Sequence, residues 1–571
     1  MNMRILVLLL ALAALSFNLP AQSTPAVTEM YSFIVQHEAD EGSLERFYII
    51  PGSPERRKRL TEFYEAQLKK LDALPFESFS TGGKADFLLM RRDIQNELVL
   101  LAQEEKETSQ VARLTAPADG LYPLEKQRRR GLHLKSDEVA GQLNAMVKSV
   151  QAAVKRLPQE PNLAPNLAAR ASQVVAGQEA ALKSVYEFYN GYDPQFSWWT
   201  TRPYQQLDTA LTKYSAALKK KVDVTLQPKD DGSGIIGNPI GREELIHLLQ
   251  LEMIPYTPEE LVDIANKEFA WCDAEMLKAS REMGFGDNWK QALEKVKQSY
   301  VPEGQQPEAM LDLYNQSVEF LKKNDLITIP PIAEETWRMR MIPPRQQLIS
   351  PFFLGGETLQ ISYPTDAMNH DDKLMSMRGN NPHFSRATVH HELIAGHHLQ
   401  GFMNNRNKPY RHYRNPFWSE GWALYWELIL WDMNFPRGPE DKIGMLFWLM
   451  HRCARIIFSL NYHLGKWTPQ QCIDFLVDRV GHERENATAE VRRSFAGMYG
   501  PLYQAAYMLG GLQLRMLRKE LVGPGKMTDR AFHDAVLREN AIPIELIRAS
   551  LSPSIPLERD FKTTWKFYGP L

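Results

Sequence analysis

Apolar residues recur at three- and four-residue spacing along most of the chain, with charged residues on the opposite face. Clear examples lie between about Ser53 and Leu326, in TEFYEAQLKKLDAL, DFLLMRRDIQNELVLL, SDEVAGQLNAMVKSVQAAVKRL and AARASQVVAGQEAALKSVYEFY. This spacing is typical of amphipathic helices that pack on a common core. The pattern returns from Ser385 to the end, so the sequence predicts a mainly α fold without the strand and helix alternation of a parallel sheet.

The pattern changes between Ile327 and Pro364. The segments ITIPPI, ETWRMRMIPP and GETLQISYP combine prolines, β-branched residues and alternating polarity. These features predict two or three short strands. An edge strand at this place could bind an extended peptide through backbone hydrogen bonds. A short structural ribbon is the alternative, and the sequence leaves both interpretations open.

The first residues have the features of a secretory signal peptide, which we assign to residues 1–21. A positive charge at Arg4 precedes an apolar run from Ile5 to about Phe17, and Ala21 supplies a small residue near the cleavage point. The run is shorter than the roughly 20 residues of a membrane-spanning helix. We therefore expect an exported protein, periplasmic or extracellular, without stable membrane insertion after cleavage; an uncleaved anchor is the alternative. No cysteine lies near this segment, which argues against a lipid-anchored protein.

The remaining chain is long enough for more than one core. We divide it into a helical N-terminal lobe, residues 22–325, and a catalytic zinc-binding lobe, residues 326–571. Its 67 basic and 69 acidic residues give a net charge of -2, so no long-range field favours nucleic acid as a partner. Three widely spaced cysteines allow one disulfide at most. Trp198, Trp199 and Tyr204 belong to no motif, and we predict that they pack in the core.

Histidines are concentrated in one short part of the chain. Of 14 in total, six fall within about thirty positions: His383, His390, His391, His397, His398 and His412. At the centre is ATVHHELIAGHHLQGF, in which His391 and Glu392 open a motif similar to the zinc-peptidase helix HExxH. In HExxH both histidines face one side of a helix, and the glutamate reaches the water that the metal activates. Position 395 is Ala here, so the ordinary motif is absent.

A regular helix does not bring these histidines to one metal ion. At about 100° per residue, His391 and His397 lie about 120° apart, whereas His391 and His398 share a face but lie about 10 Å apart along it. Gly396 tolerates the backbone dihedrals of a bulge or local break. The sequence therefore predicts a distorted helix at Gly396, with His397 as the second ligand and His398 as the alternative. His390 is expected to pack beside the site or to support it.

A zinc ion held by two histidines and a catalytic water needs one further protein ligand, often a glutamate from a following helix. The segment RNPFWSEGWALYWELILW supplies Glu420, 29 residues after His391. Glu427 lies on roughly the same helix face and is expected to orient a ligand or line the site. The aromatic residues of this segment are expected to form a packed wall around the site.

A hydrolytic site also needs a donor for the oxyanion that develops on an attacked carbonyl. Tyr507 is the candidate, with Tyr503 as the fallback; packing in a helical core is the alternative for each. Glu392 would remove a proton from the attacking water and deliver it to the leaving amine. Arg492 and Arg493 could hold a substrate carboxylate, as a carboxyl-terminal exopeptidase requires. Surface positions for both arginines are the preferred interpretation.

Several motifs resemble, in order, those of the domain-of-unknown-function 885 family of predicted, gluzincin-like zinc metallopeptidases. They are HHELIAGHHLQ, SEGWALYWE, PLYQAAYMLGGLQLRMLR and FHDAVLRENAIPIELI, and the similarity covers roughly residues 235–555. The family pattern of HExxPGHH, EGWA and Tyr-x-x-Gly implies the following roles: His391, His397 and Glu420 as metal ligands, Glu392 as general base, and Tyr507 with Gly510 as the late motif. Ala395 stands where the family commonly has Pro, and Leu245 where it usually has Tyr.

The resemblance also implies a mainly α, two-lobed metallopeptidase-like architecture, with a deep cleft and a few short strands near the active site. The sequence thus predicts a Zn²⁺-dependent hydrolase, a metallopeptidase acting on short or unfolded peptides. Two other classes stay open: a zinc hydrolase of a non-peptide amide or ester, and a helical binding protein with a structural metal. A structural zinc usually has four protein ligands and no adjacent base, so Glu392 argues against the last class. Terminal or internal cleavage and the oligomeric state are left open.

Overall fold

The structure, a computed structural model, describes residues 27–569 with the exception of residues 227–228, 348–352, 412, 414 and 498. The predicted signal peptide, residues 1–21, and His412 lie outside the described residues. The described chain is mainly helical, with two short strands. This confirms the predicted fold class in its coarse form, while the two-lobed, peptidase-like arrangement stays a prediction.

Seven helices form the N-terminal part of the chain. Several begin at a side-chain cap: Ser53 and Ser80 accept hydrogen bonds from backbone N–H groups of the first turn, and Asp193 accepts two. Such caps satisfy donors that the first turn of a helix leaves unpaired. The helices are α1 (Tyr31–Phe47), α2 (Pro54–Asp72), α3 (Thr81–Thr115), α4 (Leu121–Arg128), α5 (Ser136–Arg156), α6 (Pro165–Tyr189) and α7 (Pro194–Lys220).

Buried apolar side chains of the described residues fall into two clusters. The smaller cluster lies among the end of α3 and helices α4–α7, and it includes Leu121, Leu182 and Tyr214. The larger cluster runs from Met30 to Phe567 in sequence and contains the apolar residues around the histidine segment. The candidate site is therefore built into the larger core.

Two tryptophans of α7 lie on the surface. Trp198 is 77% exposed and Trp199 is 44% exposed, so the prediction that they pack in the core is wrong for both. The buried face of α7 is formed instead by residues at helical spacing such as Phe196 and Leu207, and the tryptophans fall outside that face. Tyr204 packs against the smaller cluster and stacks on Tyr186.

The middle of the chain contains helices and a two-stranded parallel sheet, in which Arg338 lies opposite Thr358. The prediction of two or three short strands is confirmed at two of the three segments. The segment ITIPPI contains no strand, because its second proline opens a short helix. The elements are α8 (Gly241–Leu251), α9 (Pro258–Glu282), α10 (Trp289–Lys297), α11 (Gln306–Lys323), α12 (Pro331–Thr336), β1 (Arg338–Met341), α13 (Pro344–Gln347) and β2 (Thr358–Ile361).

The C-terminal part is again helical and carries the candidate site. Helices here commonly start with proline after a capping residue, as at Asn381, Asn415 and Thr468. The helices are α14 (His370–Gly379), α15 (Pro382–Glu392), α16 (His397–Asn404), α17 (Pro416–Asp432), α18 (Pro439–His463), α19 (Pro469–Phe475), a π-helical turn (Leu476–Val480), α20 (Arg484–Phe495), α21 (Tyr503–Leu521), α22 (Asp529–Arg538) and α23 (Ile544–Leu551).

Helix α18 is a core helix that packs against α9, α15 and α21. Among the described residues it is the one helix long and apolar enough to cross a membrane, yet its apolar stretch is wholly buried inside the protein. It also carries Cys453, which, like Cys272 and Cys472, is a buried free thiol. The polar residues of α18 are therefore enclosed by other helices and need partners there.

Candidate metal centre

The histidine segment is broken into two helices, as the spacing of its histidines predicts. Helix α15 ends at Glu392 and α16 begins at His397. The φ angle of Gly396 is -82°, outside the left-handed region. A Cβ atom at Gly396 would lie only 1.8 Å from the carbonyl oxygen of His391. Glycine is needed here because the backbone doubles back on itself.

The turn between the two helices is held from inside the core. The Gly396 N–H donates to the carbonyl of His390 at 3.0 Å. The indole Nε1 of Trp422 donates to the carbonyl of Ala395 at 2.7 Å, and Trp422 is fully buried. The predicted aromatic wall of α17 is thus present, and it fixes the path of the chain between the histidines.

Three predicted ligand residues come together. The ligand atoms of His391, His397 and Glu420 all lie within 4.8 Å of one another. Glu420 Oε2 is 3.2 Å from His397 Nε2 and 3.8 Å from His391 Nε2. The break at Gly396 therefore achieves what a regular helix cannot, since it brings two histidines six positions apart to the same carboxylate.

These separations fit a zinc ion. Ligand atoms about 2.1 Å from a tetrahedral zinc lie about 3.4 Å from one another, close to the two distances to Glu420. The donor set of two imidazoles and a carboxylate is one that zinc uses in catalytic sites. In addition, Nδ1 of His391 lies 2.7 Å from Glu427 Oε1, so Nε2 is the ring nitrogen left to face Glu420. Glu427 has the orienting position that the sequence predicts.

The other histidines of the cluster lie outside this group. His398 donates from Nε2 to the carbonyl of Ala333 at 2.7 Å, so of the two alternatives it is His397 that faces Glu420. His383 pairs with Asp441 at 2.7 Å. His390 is buried and packs edge-on against Phe435.

The predicted metal ligands His391, His397 and Glu420, called the metal-ligand group below, open onto a cleft with a cavity volume of about 410 Å³. Glu392 lines this cleft, and among the described residues no hydrogen bond or ion pair engages its carboxylate. Gly355 lies directly against Glu392, because a Cβ atom there would be 2.1 Å from Glu392 Oε2. The segment that holds Gly355 precedes β2, whereas the described residues of β1 and β2 themselves do not line the cleft.

Both predicted tyrosines line the same cleft. Tyr503 donates a hydrogen bond to Glu420 Oε1, the oxygen that does not face the histidines. Tyr507 donates to the Tyr503 hydroxyl at a longer distance of 3.4 Å, and its ring lies nearly parallel to the His391 ring at 6.2 Å. Tyr503 therefore orients Glu420, the third predicted ligand, and Tyr507 is the more weakly held hydroxyl.

Three arginines also line the cleft, and sequence reasoning missed most of them. Arg452 and Arg455 of α18 line it together with Arg493 of α20. The prediction of a surface position is therefore wrong for Arg493 and is confirmed for Arg492, which is exposed. The sequence contains a feature that could have indicated them. Arg452 and Arg455 lie three positions apart and interrupt a largely apolar stretch.

The electrostatics of the site favour positive charge between the carboxylates. Burial lowers the pKa of His391, but the carboxylates of Glu420 and Glu427 outweigh burial and raise it to about 9. Burial raises the pKa of Glu427, but Arg452 and His391 outweigh it and lower it to about 2. The pKa of Glu392 is raised, chiefly by burial. A cation bound by the histidines and Glu420 would meet this negative surrounding.

The match with known proteins places the chain in a family. The family described as "Bacterial protein of unknown function (DUF885)" matches residues 51–551, and the chain belongs to it. The resemblance of the motifs is thereby confirmed at the level of the family. No curated protein is significantly similar in sequence.

Two solved structures share the fold. One, from Shewanella oneidensis and described as a "putative lipoprotein of unknown function", is 17% identical, with a TM-score of 0.65 over 91% of this chain and 99% of that one. The other, from Colwellia psychrerythraea and described as a "putative lipoprotein", is 17% identical, with a TM-score of 0.54 over 87% of this chain and 91% of that one. At this identity the likeness concerns the fold alone.

Proposed function

We propose that this protein is a zinc-dependent hydrolase, and specifically a metallopeptidase. The observation that carries the proposal is the meeting of His391, His397 and Glu420 on a cleft where the adjacent carboxylate of Glu392 is left unengaged. A structural zinc would usually have a fourth protein ligand and no neighbouring base. Among the described residues, the group whose ligand atoms lie close enough together to hold a metal ion consists of His391, His397 and Glu420, without a fourth member.

His391, His397 and Glu420 would hold the zinc ion, and Glu427 fixes the orientation of His391. When bound, zinc lowers the pKa of a water ligand and polarises a carbonyl group. Glu392 takes the proton of the attacking water and delivers it to the nitrogen of the leaving amine. A carbon–oxygen bond forms first and leaves negative charge on the former carbonyl oxygen; the carbon–nitrogen bond then breaks as its nitrogen takes the proton, so that water is added across the amide.

Tyr507 supplies a hydrogen bond to the oxyanion. Burial raises the pKa of Tyr507 above its usual value, so its hydroxyl stays protonated at neutral pH. Tyr503 is committed to Glu420, whereas the longer bond of Tyr507 leaves its proton available to a substrate oxygen. A hydrogen-bond donor that is already held in place in a buried site stabilises the negative oxygen of the transition state. It stabilises the uncharged carbonyl of the bound substrate less.

The same proposal places the enzyme outside the cytoplasm, in the periplasm or the extracellular medium, with peptides as substrates. The signal-like residues 1–21 support export. The two structural neighbours described as lipoproteins are consistent with it.

The test compares the mature wild type with Glu392→Gln, a variant that keeps the shape of the side chain and loses the base. Both proteins are dialysed, their zinc content is measured by mass spectrometry, and each is incubated with a mixed peptide library. We expect zinc in both proteins and peptide cleavage by the wild type alone. A loss of about 10²-fold or more in rate is expected for a general base.

Other outcomes would change the assignment. If both proteins hold zinc and neither cuts peptides, the metal site stands and the substrate is a different amide or ester. If neither protein holds zinc or takes it up on addition, the proposal is wrong. If Glu392→Gln cuts peptides as fast as the wild type, Glu392 is not the base.

A further inference from the structure

Three guanidinium groups line the same cleft as the metal-ligand group. Arg452 and Arg455 are only 5% and 3% exposed, and the side chain of Arg493 is 17% exposed. Such a concentration of buried positive charge is costly unless anions compensate it. The carboxylates that pair with these arginines therefore determine how much positive charge remains for a ligand.

Arg455 and Arg493 share one carboxylate. Arg455 Nε donates to Glu490 Oε1 at 2.7 Å, and Arg493 Nη2 lies 2.5 Å from Glu490 Oε2. Gln504 also donates to Glu490 Oε1, at 2.9 Å, which fixes the carboxylate between the two guanidiniums. One carboxylate thus holds two guanidiniums, and the further carboxylate that acts on Arg455 is that of Glu420, whose charge a bound zinc ion would offset.

Several donors of these arginines are also unused. Arg455 Nη1 and Arg493 Nε are buried and have no hydrogen-bond partner among the described residues. The guanidinium groups that carry these donors line the cleft, so a ligand that accepts hydrogen bonds and carries negative charge fits there. A planar carboxylate matches the forked geometry of a guanidinium.

The distance to the candidate metal centre limits what such a ligand is. The Arg455 guanidinium carbon lies 4.3 Å from the Tyr507 ring centroid, and that ring lies 6.2 Å from the His391 ring, so the guanidinium is at most about 11 Å from His391. Extended peptide spans about 3.5 Å per residue. Part of the distance between the guanidinium and His391 is taken up by the contact with the carboxylate and by the amide that is cut. The rest of this distance accommodates one or two peptide residues.

We propose that Arg455 and Arg493 bind the free carboxylate at the end of a peptide, so that the enzyme releases one or two residues from the carboxyl terminus. This inference rests on the proposed metallopeptidase function and names its substrate class. In the reaction, water is added across the scissile amide, and the released fragment carries the new amine and the carboxylate held by the arginines. Arg452 has a different task, because it donates to Glu427 at 3.2 Å and supports the partner of His391.

The first test needs no variant. Peptides of the same sequence are prepared with a free carboxylate or a carboxyl-terminal amide, and kcat/KM and the cut position are measured by mass spectrometry. We expect the free acid to be cut one or two residues from its end. The amide should be cut at least about 30-fold more slowly, which is the effect of losing a charge-assisted pair worth about 2 kcal/mol.

The second test uses Arg493→Gln, since Arg493 is the more exposed of the two arginines. The matched control is Arg492→Gln, its exposed neighbour on α20. We expect the ratio of free-acid to amide kcat/KM to fall towards one in Arg493→Gln and to stay at the wild-type value in Arg492→Gln. Arg493→Lys, which keeps the charge without the fork, should give an intermediate ratio.

The results separate this inference from the proposed function. If the wild type cuts acids and amides at equal rates, or cuts at internal or amino-terminal positions, it is a peptidase and the carboxylate inference is wrong. If it discriminates but Arg493→Gln discriminates as well as the control, these arginines are not the carboxylate site. If no peptide of either kind is cut while zinc is bound, the proposed peptidase function fails first.

Discussion

Helices α17 and α21 approach each other backbone to backbone, and replacing one glycine should force them apart. A Cβ atom on Gly510 would lie 2.1 Å from the carbonyl oxygen of Phe417 and 2.8 Å from the Cα atom of Gly421, where ordinary contacts begin at 3.4 Å. Both neighbours are backbone atoms, so no side-chain rotation relieves the clash. For Gly510→Ala the helices must separate by about 1 Å, and overpacking of this kind costs up to about 3 kcal/mol.

Alanine also gains about 1 kcal/mol over glycine inside a helix. We therefore expect Gly510→Ala to lower the free energy of unfolding by about 2 kcal/mol. The same separation moves Glu420 of α17 away from Tyr503 of α21, so zinc affinity should fall as well.

The matched control is Gly511→Ala, one position further along the same helix. Its Cβ atom would meet Leu424 Cδ2 at 3.2 Å, the end of a flexible side chain that can shift. We expect Gly511→Ala to be neutral or slightly stabilising, because it keeps the gain in helix propensity. Urea unfolding of both variants and of the wild type, with zinc titration against a chelator, measures the difference. Equal stability of the two variants would refute the close-approach argument.

Three further predictions follow from the same structure. Glu427→Gln should weaken zinc binding by about 10- to 100-fold in a chelator competition, because the charge that orients His391 is lost; unchanged affinity would contradict this. His397→Gln should lose its zinc on dialysis while His398→Gln retains it, and the reverse result would exchange their roles. Burial raises the pKa of Glu545 to about 7, so its contribution to stability is present below about pH 4 and is lost as the pH rises through 7. Glu545→Gln, which cannot ionise, should therefore gain about 2 kcal/mol relative to the wild type between pH 5 and pH 8 in urea unfolding, and a pH-independent difference would count against it.

The residues of the candidate site could be predicted from sequence because they are recognisable from local properties. His391, Glu392 and Glu420 are recognisable from residue type and spacing in two short segments. The helix break at Gly396 follows from the fixed rotation and rise of a helix, which make the histidine spacing incompatible with one ion. The helical fold class likewise follows from the period of the apolar residues.

The arginines show where such local reasoning ends. Arg452 and Arg455 stand out as charges in an apolar helix, but their partners lie on other helices, at Glu427 and Glu490. Arg493 is one of several charged residues of α20, and nothing within that helix distinguishes it from its exposed neighbour Arg492. Burial of these groups depends on which helices pack together, and no periodicity within one segment contains that information.

By itself, the sequence determined the elements and the ligand types, since helix period, capping and side-chain chemistry act over a few neighbouring residues. Only the tertiary structure decided that His397 rather than His398 faces Glu420, and that Gly396 is required by a close approach rather than by its φ angle. It alone also brought Gly421 against Gly510. These outcomes depend on contacts between segments far apart in the chain, where packing at atomic distance selects one arrangement among several that the local pattern allows.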